Sequence, residues 1–210
     1  MSIQPNKYKN IIFDLGGVLL NIDYEITARA FEKLGISQFH KLFSKAEQNK
    51  TFDLYEKGLI TSDEFREALN NALKAPVSKE VLDNSWNAML LDLPAERLGL
   101  LKKMKQTHRT FLLSNTNEIH IQCFSDLLQK QIGSPDLSGF FEKVYLSYEI
   151  KLRKPDAEIF QYVLDCNQLD PAETLFIDDS PQHIEGAKKL GIQTYWLDVK
   201  KESINDVFGI

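Results

Sequence analysis

Short apolar segments of β-strand character alternate along most of this chain with segments whose apolar residues recur at helical spacing. Turn or helix-start residues bound each short segment. Strands that alternate with amphipathic helices pair in parallel, because each helix carries the chain back across the sheet. The pattern therefore predicts an α/β fold, a Rossmann-like parallel sheet with helices on both faces. The predicted strands are residues 11–13, 110–113, 144–146, 175–177 and 194–197, and the intervening helices are residues 96–105, 119–130, 158–164 and 184–190.

Residues 23–93 interrupt this alternation. Their pattern contains no convincing strand, and apolar positions follow helical periodicity throughout. Thr61 and Glu64 form a capping-box pair ahead of an apolar run. Leu93 precedes Pro94, and a residue before proline resists helix, so a boundary is expected there. We predict two units, an α/β core of residues 1–22 and 94–210 and an inserted helical unit of residues 23–93.

Composition excludes several classes of protein. The formal net charge is -5, which argues against a nucleic-acid binder, and no apolar stretch reaches the length of a membrane span. Residues 1–10 are polar and do not resemble a secretory signal. Cys123 and Cys166 lie far apart, as expected of reduced thiols, so a cytoplasmic location is predicted. No feature of the sequence bears on the oligomeric state.

Polar side chains capable of chemistry follow the first two predicted strands. Asp14 comes directly after residues 11–13 and precedes Gly16 and Gly17, and Ser114 and Asn115 follow residues 110–113. Ligands of such sheets bind beyond the carboxyl ends of the strands, where a hydroxyl and free amides can cradle phosphate. Taken singly, each segment also fits a plain role: Asp14 as a turn residue and Ser114 as part of a helix cap.

Two further segments add charges of both signs. Lys154 stands before Pro155 at a helix start, and Asp178 and Asp179 end the fourth predicted strand. A solvated lysine and a simple acidic cap are the alternatives for each segment alone. Adjacent carboxylates repel one another unless a cation sits between them and Asp14, and oxygen-only ligands favour Mg²⁺. Together with the first two segments, these residues suit phosphoryl transfer.

This order of an Asp strand, a Ser strand, a Lys-Pro pair and an Asp-Asp strand resembles the haloacid dehalogenase-like hydrolase superfamily, in its phosphatase branch with a helical cap inserted after the first strand. The resemblance runs from Asp14 to Asp179. It implies that Asp14 is the nucleophile, that Ser114 and the amide of Asn115 bind phosphate, and that Lys154 stabilises the nucleophile and the intermediate.

The resemblance also implies a metal site. The acidic pair would hold Mg²⁺ together with Asp14 and the backbone carbonyl of Gly16. From the order of the acids we favour Asp179 as the direct ligand and Asp178 as its close neighbour, although either could bind directly. Gly16 is a departure, because most phosphatases of the superfamily have an Asp there that acts as general acid and base.

The segment from Asp14 to Val18 resembles a bacterial subgroup that includes sugar-1-phosphate phosphatases, and residues 52–61 resemble the cap of the same subgroup. An anomeric leaving oxygen needs less protonation, which suits the glycine at position 16. Tyr55 and Lys57 are candidates for substrate contacts, with core packing and a solvated face as the favoured alternatives.

The predicted function is that of a Mg²⁺-dependent phosphomonoester hydrolase, which acts on a small phosphorylated metabolite such as a sugar phosphate through a phosphoaspartate on Asp14. One alternative is a catalytically weak, phosphate-binding regulatory protein, since Gly16 removes the usual proton donor. A second alternative is a metal-independent 2-haloacid dehalogenase, which uses a similar Asp nucleophile. Neither nucleic acid nor membrane is expected as a partner.

Overall fold

The computed structural model describes residues 3–36, 39, 50–73 and 75–209, and within them five parallel strands form one sheet. The strand order is β3-β2-β1-β4-β5, so β1 lies at the centre. The predicted strands are confirmed to within a residue or two, as is the parallel α/β fold. The strands are Asn10–Phe13 (β1), Arg109–Ser114 (β2), Lys143–Leu146 (β3), Thr174–Asp178 (β4) and Gln193–Trp196 (β5).

Each face of the sheet packs against its own apolar cluster, because successive strand residues point to opposite faces. On one face Phe13 and Ile177 belong to a cluster that includes residues of the helix Ala95–Lys105 and of the C-terminal helix Ile204–Phe208. On the other face Ile12 and Phe176 pack against two further helices. With both faces covered by helices, the ends of the strands remain accessible, and ligands of such sheets bind beyond the carboxyl ends.

Helices connect the strands in the order predicted. Ser78 caps the helix Lys79–Asn87, and its side chain accepts a hydrogen bond from the backbone N–H of Val81. Thr61 and Glu64 form the predicted capping box at the start of the helix Ser62–Ala72. The α-helices among the described residues are Tyr24–Lys33, Lys50–Glu56, Ser62–Ala72, Lys79–Asn87, Ala95–Lys105, Glu118–Ile132, Ser147–Ile150, Ala157–Asn167, Pro181–Lys188 and Ile204–Phe208.

The first four of these helices lie between β1 and β2 and share an aromatic cluster. Phe31, Tyr55, Phe65 and Trp86 are buried in it, and Ile119 of the helix Glu118–Ile132 packs against them. Ile22 and Leu90 pair in an antiparallel bridge near the two ends of this stretch. The division of the chain at residues 22–23 and 93–94 stays a prediction, and residues 37, 38, 40–49 and 74 of the predicted insertion lie outside the described residues.

Within the part of the chain that the structure describes, no helix combines the length and the apolar character that crossing a bilayer requires.

The sheet core yields a test of packing. Phe160 is 0% exposed, and its ring lies 5.4 Å from that of Phe176 in an edge-on arrangement. Replacing it with alanine removes a buried ring and leaves a cavity, so Phe160→Ala should lower the free energy of unfolding by about 3–5 kcal/mol in urea denaturation. Tyr162 lies on the same helix and is 40% exposed, so Tyr162→Ala should cost less than about 1 kcal/mol. Equal losses in the two variants would contradict this packing of the Phe160 ring.

Candidate active site

The predicted site residues meet at the carboxyl edge of the sheet. Phe13 pairs in register with Leu112 of β2 and with Ile177 of β4, so the residues that follow these three strands are neighbours. The backbone N–H of Asp14 donates to the carbonyl of Ile177 over 3.0 Å, which extends the pairing by one residue. The sheet thus brings together side chains that stand up to 165 positions apart in the sequence, from Asp14 to Asp179.

Lys154 lies at the centre of this edge and is 0% exposed. Its Nζ donates to Asp14 Oδ1 over 2.7 Å, to Asp178 Oδ2 over 2.6 Å and to the carbonyl oxygen of Leu113 over 2.9 Å. An ammonium group has three N–H donors, so these contacts use all of them. The ion pairs thereby compensate the large cost of burying the charge of Lys154.

These contacts alter the acidity of all three groups. Burial alone would lower the pKa of Lys154, but the charges of Asp14 and Asp178 outweigh it and raise the pKa. Burial raises the pKa of Asp14 even though Lys154 opposes the shift. Burial also acts to raise the pKa of Asp178, yet Lys154 and His183 outweigh it and lower the pKa. Asp178 is therefore the more firmly ionised carboxylate of the pair.

Asn115 fixes the backbone of the lysine. Its Nδ2 donates to the carbonyl of Lys154 over 2.8 Å, and its Oδ1 accepts from the Lys154 backbone N–H over 2.9 Å. The family resemblance assigned only the backbone amide of Asn115 to phosphate, and this side-chain role was missed. Ser114 is buried at the end of β2, and together with Gly16 it lines a cavity next to the site. The phosphate-binding roles of Ser114 and Asn115 stay predictions.

Three carboxylates form a cluster next to Lys154. Asp14, Asp178 and Asp179 each offer one oxygen, and these oxygens all lie within 4.8 Å of one another. Three anionic oxygens at such distances repel strongly unless a cation neutralises them, and hard oxygen donors suit Mg²⁺ or Ca²⁺. The donor set therefore fits the divalent cation that the sequence predicted.

Gly17 allows one member of this cluster to approach the backbone. Its φ is +80°, and a Cβ placed there would lie 2.6 Å from Asp179 Oδ2. A side chain at this position would push the carboxylate away, so the absence of a Cβ is a requirement of the cluster.

Three contacts hold the acidic pair in place, and none of them was predicted. Asp178 Oδ1 accepts from the backbone N–H of Ser180 over 2.7 Å and lies 3.0 Å from His183 Nδ1. Trp196 donates from Nε1 to the carbonyl of Asp179 over 2.9 Å. His183 stands in the first turn of a helix predicted from Ser180-Pro181, so its proximity to Asp178 was available from the sequence. The Trp196 contact crosses from β5 to the end of β4 and had no sequence signal.

A cavity of about 70 Å³ opens beside this edge of the sheet. One part of its wall comes from Gly16, Ser114 and Asn115, and another comes from Tyr24 and Glu56 of the inserted stretch. The two residues suggested for substrate contacts lie elsewhere. Tyr55 is buried in the aromatic cluster, where it contacts Ser62 over 2.9 Å, and Lys57 pairs with Asp156 over 2.8 Å.

The chain is similar to a known protein family and to characterised phosphatases. Residues 8–191 match a family model described as haloacid dehalogenase-like hydrolase. The chain is 32% identical to a D-ribitol-5-phosphate phosphatase of Bacteroides thetaiotaomicron, over 89% of this chain and 90% of the relative. It is 24% identical to a phosphorylated carbohydrates phosphatase of Thermotoga maritima, over 93% of this chain and 87% of the relative.

Solved structures agree with these matches. An alanine mutant of a haloacid dehalogenase family enzyme from Bacteroides thetaiotaomicron, in complex with magnesium and inorganic phosphate, superposes with a TM-score of 0.86 at 38% identity, covering 93% of this chain and 96% of that one. L-2-haloacid dehalogenase from Xanthobacter autotrophicus superposes with a TM-score of 0.60 at 19% identity, covering 90% and 77%. At 19% identity, the similarity to L-2-haloacid dehalogenase shows a shared fold only.

The glycine beside the carboxylates provides a test of the metal site. Gly17→Ala places a methyl group against Asp179 and should weaken Mg²⁺ binding by about 10–100-fold in isothermal titration calorimetry. Gly133 has a similar φ of +70°, and a Cβ added there would have no neighbouring atom within 4 Å. Gly133→Ala therefore imposes comparable backbone strain of about 1 kcal/mol without touching the site. Unchanged Mg²⁺ affinity in Gly17→Ala would count against the cluster as a cation site.

Proposed function

The chain belongs to the haloacid dehalogenase-like hydrolase family, and on that premise we propose that Asp14 is the nucleophile of a Mg²⁺-dependent phosphatase for phosphorylated sugars or sugar alcohols. The observation that supports this most directly is the buried contact of Lys154 with Asp14 and Asp178, beside a third carboxylate. Such a group of one ammonium and three carboxylates at the carboxyl edge of a parallel sheet suits phosphoryl transfer.

The proposed reaction has two steps. A carboxylate oxygen of Asp14 attacks phosphorus as the bond from phosphorus to the ester oxygen breaks, and an aspartyl phosphate remains. The ester oxygen leaves with the bonding electron pair and takes a proton from water to give the alcohol. Water then attacks this intermediate and releases phosphate and free Asp14. The Nζ of Lys154 holds one oxygen of Asp14 at 2.7 Å, which fixes the orientation of the nucleophile. Its charge also stabilises the negative charge that accumulates on the transferred group.

Ionisation of the nucleophile is the main electrostatic requirement. Burial disfavours the charged form of Asp14, and Lys154 opposes that effect. Two unit charges of like sign about 4 Å apart repel by about 4 kcal/mol at an effective dielectric constant near 20. A phosphate dianion could therefore approach Asp14 only with further positive charge. Bound Mg²⁺ supplies that charge and polarises the phosphoryl oxygens.

We propose that Asp14, Asp179 and the carbonyl of Gly16 hold the cation and that Asp178 stands behind them. Both oxygens of Asp178 already bind protein donors, one of them Lys154 and the other the backbone N–H of Ser180. Asp179 is the better candidate for direct binding of the metal, because its Oδ2 lies against Gly17, in the turn that follows Asp14. Ser114 and the amide of Asn115, at the end of β2, are the proposed phosphate donors.

The substrate class that we propose is inferred from the names of the relatives. Those named above act on D-ribitol 5-phosphate and on phosphorylated carbohydrates, so a phosphorylated sugar or sugar alcohol is the proposed substrate here. The sugar-1-phosphate expectation is one member of this class. A cytoplasmic location and the absence of a nucleic-acid partner stay predictions.

Neither alternative has a specific observation in its favour. A metal-independent dehalogenase would leave three clustered carboxylates beside the single ammonium group of Lys154, and this cluster would carry a net negative charge. An idle phosphate-binding protein would not need a buried lysine held on the carboxylate of Asp14.

Removal of the metal tests the proposed cofactor. Treatment with EDTA should reduce hydrolysis of p-nitrophenyl phosphate to background, because the carboxylates then repel the phosphate dianion, and excess MgCl₂ should restore it. EDTA already saturated with Mg²⁺ should have no effect, which controls for other actions of the chelator. Turnover that persists in EDTA would favour metal-independent chemistry.

Replacement of the nucleophile tests the first step. Asp14→Asn keeps the size of the side chain but removes the attacking carboxylate, so kcat for p-nitrophenyl phosphate should fall by about three orders of magnitude or more. Asp126→Asn makes the same chemical change on an exposed position and should leave kcat unaltered. Circular dichroism should show that both variants are folded. Activity retained in Asp14→Asn would refute the nucleophile assignment.

A further inference from the structure

The cavity beside the catalytic edge has walls of two kinds. The polar residues of its lining are Tyr24, Glu56, Ser114, Asn115, Thr116 and His120. The apolar residues of its lining include Leu15, Ile22, Trp86, Met89, Leu90 and Phe124. A pocket with both kinds of surface suits a molecule that presents C–H and O–H groups together, as a polyhydroxy alcohol does. Its volume of about 70 Å³ has room for several water-sized groups.

Glu56 is the one charged side chain among the described residues that line this cavity. His120 is neutral there, because burial lowers its pKa to about 3. Lys154 lies next to the cavity wall, but its three N–H donors bind Asp14, Asp178 and the Leu113 carbonyl. The leaving-group side of the site therefore presents a carboxylate and no spare cation within the part of the chain that the structure describes.

Contacts with the sheet core hold Glu56 in place. Its Oε2 lies 2.8 Å from Arg153 Nη2, and its backbone carbonyl accepts from Ser147 Oγ over 2.6 Å. Arg153 also binds Asp53, one turn earlier on the same helix, at 2.6 Å. The Glu56 side chain remains 22% exposed, so it is anchored without being closed off.

We propose that Glu56 selects the alcohol part of the substrate, accepting hydrogen bonds from its hydroxyl groups and rejecting phosphate esters that carry a carboxylate. The inference rests on the proposed function and narrows the substrate to neutral polyol or sugar monophosphates. A substrate carboxylate in this cavity would lose its water, face Glu56 and meet no free cation among the described lining residues. A hydroxyl group meets none of these obstacles and gains an anionic acceptor.

Three small phosphate esters test the proposed preference of Glu56 for hydroxyl groups over a carboxylate. Glycerol 3-phosphate and 3-phosphoglycerate differ only by a hydroxymethyl group in place of a carboxylate, and propyl phosphate lacks the hydroxyls altogether. Burial raises the pKa of Glu56 and the charge of Arg153 opposes that shift, so the assay is run with Mg²⁺ at an alkaline pH of about 8, which favours the carboxylate. Under these conditions kcat/KM should be at least about tenfold higher for glycerol 3-phosphate than for either of the others. Similar kcat/KM values for all three esters would overturn the inference, and the test needs no variant.

Variants then assign the selectivity to Glu56. Glu56→Gln removes the charge, so the preference for glycerol 3-phosphate over 3-phosphoglycerate should shrink by about tenfold. Glu56→Ala also removes the hydrogen-bond acceptor, so the preference for glycerol 3-phosphate over propyl phosphate should shrink as well. Because each result is a ratio measured in one protein, a general loss of activity does not affect it.

Asp53→Asn is the matched control. It removes one negative charge from the same helix and from the same arginine, but Asp53 does not line the cavity. The ratios should stay within about twofold of the wild type. Equal changes in Asp53→Asn and Glu56→Gln would overturn the assignment to Glu56. Failure of Mg²⁺-dependent turnover on every ester, p-nitrophenyl phosphate included, would instead overturn the proposed function and this inference with it.

Discussion

The buried ammonium group of Lys154 is the interaction on which the rest of this site depends. Without it, Asp14 and Asp178 would be two anions enclosed at the end of a sheet, and removal of one partner from such a buried pair typically costs about 3–5 kcal/mol. With it, the carboxylates have a fixed partner at 2.7 Å and 2.6 Å. Structure and proposed chemistry thus share one requirement, a positive charge held between two strand ends.

The backbone around this lysine extends the arrangement to the cavity. Asn115 binds both backbone groups of Lys154, and the preceding residue, Arg153, pairs with Asp53 and Glu56 of the inserted stretch. Lys154 and Arg153 are adjacent, so the same segment positions the ammonium group of the proposed catalytic site and also positions Glu56, the proposed selectivity residue. The Arg153 pairs are thus charged links between the helix Lys50–Glu56 and the α/β core.

Much of the site was predictable because the sheet has a simple geometry. Asp14, Ser114 and the Asp178-Asp179 pair each end a run of apolar residues, and parallel strands bring their carboxyl ends to one edge whatever the distance in sequence. The lysine was harder to assign, since a loop cation is usually solvated, and only its order among the other segments suggested otherwise. His183 had a usable signal in its helix-start position. The Trp196 contact and the side-chain role of Asn115 had none, because the first depends on the register of β5 against β4 and the second on how the loops that hold Asn115 and Lys154 pack together.

The alternation of strands and helices, the parallel sheet and the polar residues at its edge can be derived from local periodicity and from the direction of each strand. Which charges neutralise one another, and which of them face the cavity, depends on the folded chain as a whole. Glu56 illustrates the difference: the sequence places it only within residues 52–61, which resemble a cap, whereas the structure holds it between Arg153 and the cavity. Pairing of charges depends on distances across the fold, and no local pattern encodes those distances.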